Sequence, residues 1–275
     1  MTARLAPDHD DSSRHRLRGR ARAGAMLPPA TLLAAAIATW ELWVRVRDTP
    51  DYVLPPPSQI WHAFVADRST LWGHAVTTAA EAVIGLVIGA GVGLVVAIVI
   101  ASSTLARQVL APILVASQTV PMIIVAPLLV LWFGFGLTPK VVVVALVTFF
   151  PVAVATAGGL LGVDRQLVDL VRMAGASRRQ ELRHVRLPHA MAALFDGLRI
   201  AAAYTVAGAV VGEWTGASSG LGVYISRSQA SFRVDQVFVA VAIVAALSAA
   251  LFVLVGVVAR LAMPWRAGER VRRPG

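Results

Sequence analysis

The sequence predicts an all-α integral membrane protein of six transmembrane helices, on three observations. Of its 275 residues, 57% are hydrophobic and only 15% charged, an apolar share beyond that of soluble domains. Six apolar windows, each close to the roughly 20 residues a helix needs to cross a bilayer, lie between charged segments. Lys and Arg gather on alternate connections between those windows, as they do when one side faces the cytoplasm. The net charge of +10 is spread between apolar runs rather than over one solvated face, which fits a membrane surface and not a nucleic acid. With no cysteine, a disulfide framework, a thiolate metal site and a cysteine nucleophile are excluded.

The predicted spans are residues 27–45, 78–101, 109–134, 139–161, 192–213 and 237–262, a transmembrane domain over 27–262. Ahead of the first stand arginines at 14, 16, 18, 20 and 22, the charge pattern of a secretory leader. The apolar stretch is too long for a leader's core, no small-x-small cleavage site follows, and Trp40, Glu41 and Trp43 mark an interface. The segment reads as a retained helix, with 1–26 a disordered basic cytoplasmic tail and 263–275 a second basic tail. Pro121 and Pro127 interrupt the third span and predict a shorter and a longer piece, either a kink or a discontinuity near a solute path. Counting cations by side places 18 with both termini, Arg107 and the 163–190 connection, against six on the other side (Arg45, Arg47, Arg68, Lys140, Arg227 and Arg233). Both termini and that connection are therefore expected in the cytoplasm.

The 163–190 connection is too long for a simple link and carries two helical patterns. Asp164 is placed to cap the first, whose Leu167, Leu170 and Val171 share a face, and Gly175 to end it. Ser177 and Gln180 have capping-box spacing at the start of the second, Leu182 and Val185 form its apolar edge, and Leu187-Pro188 closes it.

Asp169-Leu170-Val171, three residues, Gly175, nine residues and Val185-Arg186-Leu187-Pro188 resemble the signature of bacterial binding-protein-dependent ABC permeases: Glu-Ala-Ala, three residues, Gly, nine residues, Ile-x-Leu-Pro. All spacings hold; Asp replaces Glu and two larger apolar residues replace the alanines. The resemblance covers about residues 50–262 and is to the subgroup importing nitrate, sulfonates, taurine and thiamine-precursor (hydroxymethylpyrimidine) compounds. It implies the type I ABC importer permease fold in a bacterial inner membrane, a homodimer of permeases, a cytoplasmic ABC ATPase and an extracytoplasmic substrate-binding protein. It also implies a coupling-helix loop through Asp169, Gly175, Ala176, Ser177, Gln180, Leu182, Val185, Leu187 and Pro188. The alternative for this loop is an arginine-rich segment lying on lipid headgroups.

No Gly-x-x-x-x-Gly-Lys-Ser/Thr phosphate loop occurs, so ATP hydrolysis belongs to another chain. No catalytic residues, metal or cofactor are predicted: the six histidines lack ligand spacing and no nucleophile elbow is present. Helices two to five are expected to line the solute path, through Pro121, Met122, Phe149, Pro151 and Tyr204 to Glu213 and Trp214. Glu213, ahead of the small-residue turn 215–222, is read as an acid at the external mouth that suits an aminopyrimidine better than a sulfonate. Asp196 and Arg199 are read as interfacial anchors or an i,i+3 pair. An ion-coupled secondary transporter would show an internal repeat and midplane acids, and neither is found. A structural scaffold would not need the Gly175 to Pro188 spacing.

Overall fold

The computed structural model describes residues 31–265, and all regular structure among them is helical. The predicted tail 1–26 and most of the second tail lie outside the described residues. Helix α1 covers 31–46 and turns most of its surface outward, as Leu32, Leu33 and Leu42 show. It is followed by α2 (Pro57–Ala66), α3 (Arg68–Ser102), α4 (Thr104–Ser117), α5 (Met122–Phe133), α6 (Leu137–Leu161), α7 (Arg165–Met173) and the single turn α8 (Arg178–Glu181). A π-helical segment, Leu182–Arg186, leads into α9 (Leu187–Glu213), and α10 (Leu221–Ala230) and α11 (Val234–Ala262) complete the chain.

Four rods are long and apolar enough to cross a membrane: α3, α6, the run Arg178–Glu213 and α11. The pair α4 and α5 is apolar enough to make a fifth if it is one broken span, and it is bent by 100°. The first predicted span, 27–45, is described only in part, as α1. The third span breaks where Pro121 takes an extended conformation and caps α5. Its pieces, 14 and 12 residues, are nearly equal rather than one short and one long, and Pro127 lies inside α5 without ending it. A proline interrupts a helix when its neighbours let the chain turn, and otherwise removes one ladder bond.

The core is a sandwich of α3, α6 and α9, with α11 against α9. Close approach of α3 to α6 depends on glycine: a Cβ at Gly93 would lie 2.7 Å from the Phe149 carbonyl oxygen. Without a hydrophobic drive between helices in lipid, small residues that let backbones meet supply the packing. Helix α3 starts at Arg68, well before the predicted 78. Its 35 residues make a rod of about 52 Å, longer than the ~30 Å hydrocarbon core, so its first turns stand beyond the lipid.

Candidate functional site

The 163–190 connection forms a compact joint. Asp164 caps α7 by accepting from the Gln166 amide at 2.9 Å. Gly175 ends the helix in the left-handed region, at φ 86°, and its amide donates to the Arg172 carbonyl. Ser177 and Gln180 form both arms of the capping box. Leu187-Pro188 does not close the second helix. The chain continues through the π segment into α9 with Pro188 in the first turn, where its missing N–H costs little. The joint is thereby welded to a membrane span.

Within the joint, Asp169, Gly175, Ser177, Gln180 and Pro188 are exposed, and Ala176 and Val185 are half-buried. Leu182 and Leu187 instead pack inward on the cluster of Ala97, Leu114 and Ala153. Glu181, absent from the predicted set, is buried and accepts from Arg172 at 2.8 Å and Arg186 at 2.6 Å. Burial pushes its carboxyl upward, but the two guanidiniums outweigh that and hold it below the usual carboxylate range. Arg186 also donates to the Leu160 carbonyl at 3.1 Å, tying the joint to the end of α6. Leu167, Leu170 and Met173 are exposed along α7, an apolar edge turned away from the body. The first two were legible from their helical spacing; Met173 continues the same edge.

A cleft of about 880 Å³ opens where α4, α5, α6 and α9 meet, and it brings together Pro121, Met122, Phe149, Pro151 and Tyr204. Five predicted path residues thus share one space, although they come from three separate segments. Helix α3 contributes nothing to the lining, since its glycine face is engaged against α6. Of the predicted spans two to five, expected to line a path, the third, fourth and fifth contribute to this cleft.

Glu213 lies outside this cleft and does not face an external mouth. It is 1% exposed, accepts from the Thr78 hydroxyl at 2.6 Å and accepts from the Gly222 amide. The Leu221 amide donates to Thr78 and the Gly220 amide to His74, at 2.8 and 2.9 Å. The first amides of α10, which have no intrahelical partner, are thus satisfied by α3 and α9. Glu213 is drawn inward because a carboxylate is the strongest available acceptor for such amides. Trp214 is partly exposed beside it. Lys140, counted among the external loop cations, is buried and donates to Glu81 at 2.6 Å. The second Glu81 oxygen has no partner among the described residues and lies beside the Glu213 carboxyl. Among the described residues Asp196 and Arg199 form no ion pair; Asp196 is exposed, and the Arg199 Nε is buried without a partner.

Residues 72–265 match the family of binding-protein-dependent transport system inner membrane components. A riboflavin transport system permease protein of Chloroflexus aurantiacus is 36% identical over 243 residues, covering 87% of this chain and 90% of that one. A formylaminopyrimidine transport permease protein of Halalkalibacterium halodurans is 34% identical, covering 87% and 96%. A taurine transport system permease protein of Escherichia coli is 28% identical, covering 85% and 87%. Among solved structures, an amino acid ABC transporter shares the fold with a TM-score of 0.57 at 18% identity, covering 72% of this chain and 94% of that one. The matched region contains both the joint and the cleft. This chain belongs to the binding-protein-dependent transport system inner membrane component family, as a non-enzymatic ABC permease of the type I importer fold.

Proposed function

We infer that this chain forms the membrane path of an ATP-driven importer for a small nitrogen heterocycle of the thiamine-precursor pyrimidine class. A separate ATPase and an extracytoplasmic binding protein work with it, and two copies pair around the cleft. The observation that carries the solute class is the lining of that cleft: among the described residues Phe149, Phe150 and Tyr204 stand in it, and no Lys or Arg does. Aromatic faces suit a flat ring, whereas a sulfonate or nitrate leaving water needs a countercharge. The relatives that carry riboflavin and formylaminopyrimidine agree with this reading; the taurine relative favours the second one, import of a sulfonate. Glu213 plays no part in recognition here, because its oxygens are committed to Thr78 and α10.

The cation asymmetry, 18 against five once the buried Lys140 is set aside, supports a cytoplasmic joint and cytoplasmic termini. There, Asp169, Gly175, Ser177 and Gln180 present the joint to the ATPase. Leu182, Val185, Leu187 and Pro188 pass its movement into α9, since no break separates them from that span. Closure of the ATPase then becomes rotation of α9 against α6, a change between two packed arrangements.

The test is ATPase stimulation of the permease reconstituted with its ATPase and binding protein, comparing an aminopyrimidine thiamine precursor with taurine, an alkylsulfonate and nitrate. Stimulation by the pyrimidine alone is expected, and Gly175→Asp should abolish it. Stimulation by an oxyanion alone would discard the heterocycle, and absence of stimulation under every condition would discard the importer mechanism.

A further inference from the structure

A second cleft, of about 600 Å³, lies between the α3–α4 corner at residues 101–104 and the joint. Arg107, Arg172, Arg178, Arg179 and Arg186 line it, with Glu181 the one acid among the lining residues. That carboxylate is engaged by Arg172 and Arg186. Arg107, Arg178 and Arg179 are exposed, and among the described residues their guanidiniums make no hydrogen bond or ion pair. Three exposed guanidiniums that line one cleft, with no anion of their own among the described residues, are suited to phosphate oxygens, which arginine binds in fork geometry.

Two further features say where that phosphate comes from. The corner stands just past Ile100, where the apolar run of α3 ends, and the end of an apolar run is where a helix leaves the hydrocarbon for the headgroups. From the corner, α4 runs away with Leu105, Val109 and Ile113 exposed at 70%, 50% and 56%. Their four-residue spacing makes one apolar stripe along the helix, a track for an acyl chain starting beside the cationic cleft. A soluble phosphate or a partner's carboxylate would have no use for such a stripe.

We propose that this cleft is a binding site for the headgroup phosphate of an anionic phospholipid, whose acyl chain lies along α4. The proposal rests on the cytoplasmic placement of the joint given above. It makes the lipid a tether between the α3–α4 corner and α8, so that the joint moves against an anchored headgroup.

Native mass spectrometry of the purified permease–ATPase complex, incubated with mixed micelles of phosphatidylglycerol and phosphatidylcholine, tests it. Wild type should retain phosphatidylglycerol selectively. At about fivefold per arginine, the R107Q/R178Q/R179Q variant should bind it about a hundredfold more weakly, with phosphatidylcholine binding unchanged. Leu105→Gln should weaken retention of both lipids. Unchanged phosphatidylglycerol retention in the triple variant overturns the site, and displacement of the lipid by inorganic phosphate reassigns it to a soluble anion. A triple variant that keeps its lipid but loses the ATPase would show that the arginines serve the partner. If wild type fails to hold the ATPase but retains phosphatidylglycerol selectively, the importer reading fails while the lipid site stands. Because the three arginines are exposed, a monodisperse elution profile for the variant is expected and serves as its folding control.

Discussion

The two ends of the bundle treat charge in opposite ways. At the joint, one buried acid, Glu181, is held by two arginines, and three more arginines around it are unpaired among the described residues. At the other end, Glu81 and Glu213 are both buried with one lysine, and their remaining capacity goes largely to amides and hydroxyls of α10 and α3. The first end has cationic capacity to spare for something outside the chain. The second uses its charges internally, to hold α10 over the ends of α3 and α9. A buried ion is costly unless its partners are close, so the second end is a structural clamp, while the first keeps the cationic surface on which the proposals above rest.

That contrast can be broken most decisively at Lys140. Lys140→Met strands Glu81 in the interior and should cost about 3–5 kcal/mol, read as a lowered denaturant midpoint in detergent micelles. The double variant E81Q/K140M should recover much of that loss, and a near-neutral single variant would mean the pair is not a clamp. A smaller effect is expected at Glu213. Glu213→Gln weakens the charge-assisted cap of α10 by about 1–3 kcal/mol and should raise amide exchange at 220–222 while α6 stays protected. Gly220→Ala should act the same way, because its φ of 122° disfavours a side chain and the added Cβ would overlap the Glu213 carboxyl. Unchanged exchange in both would remove Glu213 from the clamp.

The smallest effect on stability belongs to Glu181, whose partner Arg172 is half exposed. Glu181→Gln should cost about 1 kcal/mol or less. Its carboxyl is held below the usual range, so its contribution is full above the ordinary glutamate value of about 4.3. It is lost as pH falls through the lowered value. The difference in unfolding midpoint between wild type and Glu181→Gln should therefore be constant near neutrality and shrink in acid. A difference that grows in acid would contradict the assignment.

Much of the joint was legible because its signals are local. Asp164, Gly175, Ser177 and Gln180 act on backbone within a few residues, and spacing alone reveals such caps. Pro188 misled because proline closes a helix or opens one according to the turn before it, here a π segment that no residue pattern announces. The long start of α3 was hidden for a related reason: Arg68 to Thr77 is too polar to read as a span, and its helix is held by packing against α10, through pairs such as His74 and Tyr224. Glu213 was noticed as an acid at a helix end, but its partners Thr78 and Gly222 lie 135 and nine residues away. The long separation gives no periodic signal.

By itself the sequence determined the solvent this protein lives in, the positions of most of its apolar rods, the asymmetry of charge along the chain and the capped turn between α7 and α8. Each of these depends on composition or on neighbours within one helical turn, where hydropathy and backbone geometry dominate. Only the tertiary structure decided which rods touch, that Phe149, Pro151 and Tyr204 share a cleft with Pro121 and Met122, and that Glu213 is buried and caps a helix. Those outcomes turn on side chains brought together from distant segments, where close packing and the need to satisfy every buried polar group select one partner among many.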